Sequence, residues 1–409
     1  MSSTESQSLK FRVAIIGGGM GGLVLALSLK KYAPDVRYDI YESAPELTEV
    51  GAGIGMSPVS GSTVWFRKGD EQQVVDICEF PDLRTFHRSI LQKLLAKHLD
   101  AGDQIHFAKR LSSYSETEPT EPITLAFKDG TTATCDLVVG SDGVRSAVRR
   151  TMFNEFADEA AKQGDDEEAA QFREKVEPIF SGQIAYRGLA PASALTPELS
   201  AFMRTPQILV GKYGQMTMYP VSGGDFINVA AIKRIPGAGP VYEGPWVENT
   251  TGEAAIPDPF CWAMHAVREL PTYIKGRAAL VGDAAHAQLP HQGAGVGQAF
   301  EDGWVLAIVL SHPAVTLANL PAALKVYDDV RRPYSQSVVR GSANNGTNYH
   351  LCRAGWEDVS AEDSRAGRYP RELIGVLEEE LRKQTRWMYT SSVLDERPGL
   401  LERLGALTA

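Results

Sequence analysis

The glycines of segment 17–22 (GGGMGG) and the acid at Glu42 have the types and spacing of a nucleotide site. Gly17 permits a tight turn, Gly19 lets a pyrophosphate approach the backbone, and Gly22 lets a helix pack closely on a strand. Glu42 follows Gly17 by 25 residues, at the predicted end of the next strand, where a carboxylate can hold ribose hydroxyls. This pattern predicts a bound dinucleotide but does not distinguish NAD from FAD.

A second glycine-rich segment, 282–297 (GDAAHAQLPHQGAGVG), favours FAD. Asp283 follows a predicted strand, so its carboxylate can bond a ribityl hydroxyl. Gly293, Gly295 and Gly297 then bring bare backbone against a flat group. The helix that follows directs its N-terminus at this place, where it would stabilise negative charge on a reduced flavin ring. A plain nicotinamide dehydrogenase requires no such segment.

The elements that position these turns can be predicted from the apolar pattern. Residues 11–16 form a β-branched run typical of a buried strand, residues 23–32 have helical composition, and residues 37–41 form a second strand. Together they predict a β-α-β unit. In 179–233, strand-like segments alternate with Gly and Pro turns, which predicts an antiparallel sheet. A short strand at 278–281 leads into the second glycine-rich segment.

The predicted fold class is α/β, with a Rossmann-type FAD-binding domain, an inserted antiparallel-sheet substrate domain and a helical C-terminus. The predicted boundaries are 10–175 and 273–345 for the two parts of the FAD-binding domain, 176–272 for the substrate domain and 346–409 for the C-terminal region. A chain of 409 residues has the length for two or three such lobes. The oligomeric state is left open between a monomer and a homodimer.

Composition argues against several classes of protein. The net charge of -10, from 41 Lys and Arg against 51 Asp and Glu, argues against nucleic acid as a partner, because binding it requires an excess of basic residues. No stretch reaches the roughly 18 apolar residues of a membrane-spanning helix, and the polar start has no signal-peptide core, so a cytoplasmic protein is predicted. Four cysteines without a C-x-x-C pair argue against a disulfide framework and a metal site.

Three motifs in this order resemble those of the group A flavin aromatic hydroxylases: the glycines at 17–22, Gly-Ser-Asp-Gly at 140–143 and Gly-Asp-Ala-Ala-His at 282–286. The sequence at 290–295 (PHQGAG) is most similar to that of the salicylate hydroxylase branch and its fungal relatives. The resemblance, which runs from Phe11 to Arg332, implies an FAD-dependent monooxygenase. Such an enzyme holds FAD and binds NADH or NADPH transiently. It uses O2 to hydroxylate a phenolic, sometimes carboxylated, aromatic substrate through a flavin C4a-hydroperoxide.

The resemblance implies cofactor contacts for Gly17, Gly19, Gly22, Glu42, Gly55, Arg88, Asp142, Asp283, Gly295 and Val296. Glu42 would hold the adenosine ribose, and Arg88 would meet the pyrophosphate, a bidentate task that suits a guanidinium. Asp283 would hold the ribityl chain. Gly295 and Val296 would contact the flavin through backbone N–H groups. The Asp of the Gly-Ser-Asp-Gly motif would act indirectly, by organising its loop.

The resemblance also implies two catalytic residues, Arg187 from a Tyr-Arg-Gly segment and Tyr219 from a Tyr-Pro segment. Arg187 would clamp an anionic substrate, and the Tyr219 phenol would bond the substrate oxygen that is deprotonated. His286 is predicted to be structural. The remaining substrate-pocket residues are predicted to be Gln215, Pro290, His291 and Gln292.

The chain departs from the family pattern in two ways. Relatives of the salicylate type often carry a His at the position of Gln215, which argues against salicylate itself as the substrate. Regions 56–86 and 250–262 are shorter than is usual in the family. Two alternatives therefore stay open: a flavin monooxygenase of the same fold that acts on a polyketide or another non-salicylate secondary metabolite, and a catalytically impaired FAD-binding remnant.

Overall fold

The computed structural model describes residues 9–47, 53–56, 61–250 and 259–408. The strands are β1 (Phe11–Ile16), β2 (Val36–Tyr41), β3 (Gly53–Met56), β4 (Ser62–Lys68), β5 (Val75–His87), β6 (Ile105–His106), β7 (Leu111–Ser115), β8 (Ile123–Phe127), β9 (Thr132–Cys135), β10 (Leu137–Gly140), β11 (Ile179–Pro191), β12 (Gln207–Gly211), β13 (Gly214–Val221), β14 (Phe226–Arg234), β15 (Val247–Asn249), β16 (Phe260–Ala266), β17 (Ile274–Lys275) and β18 (Ala278–Leu280).

The helices are α1 (Met20–Tyr32), α2 (Arg88–Leu99), α3 (Ala147–Lys162), α4 (Asp166–Arg173), α5 (Pro197–Met203), α6 (Asp283–His286), α7 (Gly295–Ser311), α8 (Leu320–Tyr349), α9 (Ala361–Arg365), α10 (Glu372–Thr385), α11 (Trp387–Thr390) and α12 (Arg397–Gly405). Within the described ranges, none of these helices combines the length and the apolar character that crossing a bilayer requires.

A six-stranded sheet of order β17-β18-β10-β1-β2-β6 forms the first layer. Its strands from β18 to β6 pair in parallel. Strand β10 is buried at every position and β1 at nearly every one, as expected for parallel strands that are covered on both faces. Helices α1 and α7 contact each other on this sheet, and the glycine turns of both lie at the carboxyl ends of its strands.

A nine-stranded sheet of order β15-β16-β11-β14-β13-β12-β4-β5-β3 forms the second layer. Its pairs are antiparallel except for β12 with β4, which run in parallel. Strands β4 and β5 lie in region 56–86, for which the sequence pattern yields no predicted element. They extend the sheet that begins in the predicted substrate domain, whereas the predicted boundaries assign them to the FAD-binding domain. Those boundaries stay a prediction.

The C-terminal region is helical, as predicted, and a buried ion cluster fixes it to the end of β4 in the large sheet. Lys68 is fully buried, and its ammonium pairs with Asp70 at 2.5 Å and with Glu71 at 3.1 Å. The same ammonium donates to the Ser364 carbonyl at 2.9 Å, and the Tyr369 hydroxyl donates to Glu71. These contacts make the C-terminal helices part of the same packed body as β4 and β5.

Candidate active site

The first glycine turn has a conformation that only glycines permit. Gly17 has φ +108°, and a Cβ there would lie 2.4 Å from the Ser141 carbonyl oxygen. A Cβ on Gly22 would lie 2.1 Å from the Gly17 carbonyl oxygen. At Gly19, by contrast, a Cβ would meet nothing within 4 Å. Gly17 and Gly22 are therefore required by the fold, whereas Gly19 leaves open space at the N-terminus of α1, where a pyrophosphate could sit.

Glu42 lies at the end of β2, beside this turn. Its Oε2 accepts a hydrogen bond of 2.7 Å from the Gly18 N–H, and its Oε1 accepts one of 2.7 Å from the Ala44 N–H. The carboxylate is thus held against the glycine turn at a fixed position. Its remaining lone pairs are available for ribose hydroxyls, in the place that the sequence pattern predicts.

The loop of the Gly-Ser-Asp-Gly motif is fixed from two directions. Asp142 Oδ2 accepts hydrogen bonds from the N–H groups of Ala147 and Val148, at 2.6 and 3.3 Å, at the start of α3. The buried Arg149 donates to the Val144 carbonyl at 2.5 Å and to the Ala284 carbonyl at 2.8 Å. Sequence reasoning missed Arg149, which ties this loop to the second glycine-rich segment.

A closed ion network lies behind the Gly282 turn. Asp302 is fully buried, and its Oδ2 accepts from the Gly282 N–H at 2.8 Å and contacts His286 Nε2 at 2.6 Å. Its Oδ1 accepts from Arg331 Nε at 2.8 Å. Burial alone would raise the pKa of Asp302, but His286 and Arg331 hold it at about 2. His286 is thus engaged in structure, in agreement with its predicted role.

The loop that follows presents backbone and a carboxylate to a large cavity. Asp283 is exposed, and Gly293 has φ +62°. Helix α7 begins at Gly295 without a side-chain cap, whereas the Ser146 hydroxyl caps α3. The first N–H groups of α7 therefore face the loop with the positive end of the helix dipole. A Cβ on Gly297 would meet nothing within 4 Å, so the space beside them is open.

Helices α8 and α10 hold this loop in place. The Ser342 hydroxyl donates to the Leu289 carbonyl at 2.5 Å, and the Tyr349 hydroxyl donates to the His291 carbonyl at 2.7 Å. The Gln292 side chain donates to the Gln384 carbonyl at 2.8 Å. These holding residues come from the C-terminal half of the chain, and sequence reasoning missed them.

His291 is buried in this packing and makes a poor base. Its Nε2 contacts the Gln183 side-chain oxygen at 2.9 Å, and a Cβ on Gly346 would lie 2.5 Å from its ring. Burial, together with the neighbouring His350 and Arg234, holds the pKa of His291 well below its usual range. The ring is therefore neutral at physiological pH.

A cavity of about 370 Å³ brings the two predicted sets of residues together. Its lining includes the predicted cofactor residues Gly55, Arg88, Asp283, Gly295 and Val296 and the predicted substrate residues Arg187, Gln215, Tyr219, Pro290, His291 and Gln292. The remaining predicted residues, Gly17, Gly19, Gly22, Glu42 and Asp142, lie outside this lining, at the turns described above. The cavity therefore spans the places predicted for the flavin ring and for its substrate.

The floor of the cavity is one face of the nine-stranded sheet. In the strand pairing, Arg187 lies opposite Ala230, and Ala230 lies opposite Thr217. Because side chains two residues apart on a strand share a face, Gln215 and Tyr219 flank Thr217 on the same side. Polar groups thus occupy the middle of a face that would otherwise be apolar core.

Arg187 and Tyr219 are the two ionisable groups at the centre of this floor. Burial lowers the pKa of Arg187, and burial raises the pKa of Tyr219 to about 12, with Arg187 working against that rise. At neutral pH the pair is a guanidinium beside a neutral phenol. Among the described residues, no carboxylate forms an ion pair with Arg187, and neither Arg187 Nε nor Gln215 Oε1 has a hydrogen-bond partner. The unpaired cation of Arg187 favours an anionic ligand, because unpaired charge away from water is costly. The Gln215 oxygen is an acceptor and favours a ligand that donates a hydrogen bond, such as a hydroxyl.

The site residues fit a flavin dinucleotide. Open space at Gly19 and Gly297, the uncapped start of α7 and the exposed Asp283 carboxylate are the features that phosphates, a flavin ring and a ribityl chain require. Within the described ranges, no group of three or more His, Cys, Asp or Glu is placed to hold a metal ion.

Comparison with known proteins gives consistent matches. The family model described as FAD binding domain matches residues 55–175 and 247–342. A salicylate hydroxylase of Pseudomonas putida is 33% identical over 402 aligned positions, covering 86% of this chain and 88% of that protein. The FAD-dependent monooxygenase str9 of Strobilurus tenacellus is 30% identical, covering 96% and 97%. That alignment has 469 positions, more than the 409 residues of this chain, so str9 carries segments that have no counterpart here.

Solved structures show the same likeness. The structure described as a salicylate hydroxylase substrate complex matches with a TM-score of 0.76 at 27% identity, covering 97% of this chain and 98% of that one. HpxO of Klebsiella pneumoniae, complexed with FAD and uric acid, matches with a TM-score of 0.67 at 19% identity, covering 92% and 99%. The second match is a likeness of fold alone.

Proposed function

The chain belongs to the FAD-dependent monooxygenases that include salicylate hydroxylase, and from this membership we propose that it hydroxylates an anionic phenol. NADH or NADPH serves as the transient reductant, and O2 supplies the oxygen atom. The family confirms the predicted fold class, the predicted FAD cofactor and the predicted monooxygenase activity. The observation that carries the choice of an anionic phenol is the half-buried guanidinium of Arg187 on the cavity floor, which has no carboxylate partner among the described residues.

The two central side chains have different tasks. Arg187 holds the negative charge of the substrate, a carboxylate or a phenolate, and its planar fork fixes the orientation of the ring. Tyr219 keeps its proton at neutral pH because burial raises its pKa to about 12. Its hydroxyl therefore donates a hydrogen bond to the substrate oxygen. That contact stabilises the electron-rich form of the ring, which is the form that accepts an oxygen atom.

The cofactor side of the site positions FAD and provides positive charge beside its flavin ring. In this proposal Gly19 and Arg88 would hold the pyrophosphate, Glu42 the ribose and Asp283 the ribityl chain. When bound, FAD would supply the redox chemistry, namely hydride acceptance from the nicotinamide and activation of O2, with one oxygen atom transferred to the ring and the other released as water. The α7 N-terminus stabilises the negative charge that accompanies reduction. The apolar walls of the cavity exclude water from the reacting atoms.

The test is ligand-stimulated flavin reduction. The protein, reconstituted with FAD, is mixed anaerobically with NADH or NADPH in a stopped-flow instrument, alone and with hydroxybenzoates. We expect a hydroxybenzoate to accelerate reduction at least about tenfold more than the matching phenol without a carboxylate, which is the scale of one charge-assisted hydrogen bond. In air, the product should carry one added oxygen atom for each NAD(P)H consumed. Equal stimulation by both ligands would contradict the role of Arg187.

One observation favours a second candidate function. The str9 alignment is longer than this chain, which agrees with the two short regions noted in the sequence. If the segments that str9 has and this chain lacks are needed to complete a phenol site, this chain has one of two other functions. It is then an FAD-binding protein without hydroxylase activity, or an enzyme that acts on a polyketide. The same stopped-flow experiment separates these cases. A yellow protein whose reduction no phenol accelerates supports the remnant, and acceleration only by polyketides supports the other enzyme.

A further inference from the structure

The cavity floor continues well beyond its polar centre. In the strand pairing, Thr217 on β13 lies opposite Ile208 on β12, and Ile208 lies opposite Phe66 on β4. Neighbouring strands are about 4.8 Å apart, so Phe66 lies about 10 Å from β13 and about 20 Å from Arg187 on β11. This length exceeds that of a single benzene ring. A substrate anchored by Arg187 and Tyr219 therefore leaves the far part of the floor uncovered.

The far part of the cavity is apolar. We call it the apolar end; it is lined by Val64, Phe66, Phe80, Ile208, Thr385 and Met388. The Thr385 hydroxyl in this group donates to the Leu381 carbonyl at 2.8 Å. Nearby, the Tyr349 and Tyr389 hydroxyls donate to the His291 and Pro81 carbonyls at 2.7 and 3.1 Å. Each of these hydroxyls is already satisfied within the protein, in contrast to Arg187 Nε and Gln215 Oε1 at the polar centre.

The roof of the apolar end is a fixed part of the fold. Helix α10, which carries Thr385, packs against β5 and α8. The Gln384 carbonyl accepts from the Gln292 side chain, and the Arg382 guanidinium lies 5.6 Å from the centre of the Phe80 ring. The buried Lys68 cluster fixes the segment that leads into α10. Residues of the C-terminal helices are therefore permanent walls of the cavity.

We propose that the substrate is a phenolic acid that carries an apolar alkyl or aryl substituent, and that this substituent occupies the apolar end beneath Thr385 and Met388. This inference rests on the proposed function and deepens it. Arg187 and Tyr219 bind the acidic head, and the C-terminal helices select the tail. Met388 is half-buried at the rim of the cavity, so its side chain sets the length of tail that the site accepts.

Burial of a methylene group gives the size of the expected effect. Each buried methylene contributes about 0.8 kcal/mol, or about a fourfold gain in affinity. A chain of three carbons should therefore tighten binding by at least about tenfold, even when part of the gain is lost to ordering the chain. A chain that ends in a carboxylate should lose this gain, because none of the described residues that line the apolar end carries a positive charge.

The experiment is a titration of the FAD-reconstituted protein with 2-hydroxybenzoate and its methyl, propyl and pentyl derivatives, substituted at each free ring position in turn. The perturbation of the flavin absorption spectrum reports binding without turnover. We expect the dissociation constant to fall along the series for at least one ring position, and to rise again when the chain ends in a carboxylate. Derivatives that bind no more tightly than 2-hydroxybenzoate at any position would overturn the inference while leaving the proposed function intact. Absence of binding by the whole series would overturn both.

A pair of matched variants locates the tail. Met388→Trp fills the apolar end, and it should reduce the ratio of the dissociation constants of 2-hydroxybenzoate and its propyl derivative from at least tenfold to about one. The control is Met216→Trp, because Met216 is exposed and lies between Gln215 and Thr217 on the other face of β13. It should leave that ratio unchanged. An unchanged ratio in Met388→Trp would place the tail elsewhere and overturn the inference.

Discussion

Two charged groups in this protein have opposite surroundings. Asp302, behind the Gly282 turn, has a partner on each side: the Gly282 N–H, His286 and Arg331 all lie within 2.8 Å of its oxygens. Arg187, on the floor of the cavity, has no carboxylate partner among the described residues, and its Nε has no hydrogen bond. We call the first a closed charge, because its partners all lie within the protein. We call the second an open charge, because it faces a cavity and has no carboxylate partner among the described residues.

This difference separates a structural charge from a binding charge. Removal of an ion from water costs free energy, so a half-buried charge that faces a cavity without a protein partner favours a ligand of opposite charge. A closed charge, by contrast, fixes the backbone around it. At Asp302 this backbone is the Gly282 turn, which presents Asp283 to the cavity. Asp302 thus shapes the site, whereas Arg187 binds the ligand. Substitutions of the two residues should therefore affect different properties, stability in one case and binding in the other.

The largest effect is expected from Asp302→Asn. This substitution removes the charge that pairs with His286 and Arg331, and it leaves Glu301, at 2.8 Å, as the carboxylate partner of the buried Arg331. Breaking a buried ion pair costs about 3–5 kcal/mol when no partner remains, so the loss should approach the lower end of that range. Urea unfolding followed by tryptophan fluorescence should show that loss, and the purified variant should retain less FAD. Because the pKa of Asp302 is held at about 2, below the value of about 4 in an unfolded chain, its contribution is present above pH 4. It is lost as the pH falls through 2, so the variant should show a flatter acid limb.

The matched control is Asp129→Asn. Asp129 is an exposed carboxylate that also pairs with a cation, Lys109 at 2.7 Å. Because solvent screens exposed pairs, the unfolding midpoint should hardly move. A loss of stability in Asp129→Asn as large as that in Asp302→Asn would contradict the distinction between closed and exposed charges.

A smaller effect, in binding rather than in folding, is expected from Arg187→Met. Removal of this half-buried cation, which has no carboxylate partner among the described residues, should leave the unfolding free energy unchanged or raise it. Stimulation of flavin reduction by a hydroxybenzoate should nevertheless fall about a hundredfold, which corresponds to about 2.7 kcal/mol. Arg187→Lys should recover part of the stimulation, because it restores the charge but not the planar fork. If Arg187→Met were as unstable as Asp302→Asn, Arg187 would be a structural charge as well.

Local patterns in the sequence explain how much of this architecture could be predicted. The turn at Gly17 and the helix after it depend on residues that are close to one another in sequence. The spacing of the glycines therefore identifies both elements. The same holds for the alternating strands around Arg187 and Tyr219. For this reason the predicted fold class and cofactor agree with the family, and the predicted site residues lie at the turns and along the cavity.

The missed residues act through contacts that are distant in sequence. Arg149 reaches the Ala284 carbonyl over 135 residues, and Lys68 reaches the Ser364 carbonyl over 296 residues. Neither Arg149 nor Met388 lies in a glycine motif or at a distinctive spacing. Their roles depend on how the two sheets and the C-terminal helices pack against each other. No local sequence pattern specifies this packing.

The smallest effect is expected from Tyr219→Phe, which removes one hydroxyl and leaves both charges in place. Loss of one hydrogen bond to the substrate oxygen should lower kcat/KM for hydroxylation by about tenfold, while FAD stays bound. Tyr186→Phe is the control, because Tyr186 is exposed and adjacent to Arg187 on the same strand, with its side chain on the other face. It should be neutral.

The pH profile then decides how Tyr219 acts. Because burial raises its pKa to about 12, Tyr219 is protonated throughout the range from pH 6 to pH 9. The profiles of wild type and Tyr219→Phe should therefore run parallel there, separated by a constant factor. If the variant lost a limb of the wild-type profile, Tyr219 would itself titrate in that range and would act as a base. In that case the open cation of Arg187 would have to lower the pKa of Tyr219 far more strongly once a substrate is bound, and the phenol and guanidinium would form a single acid–base unit.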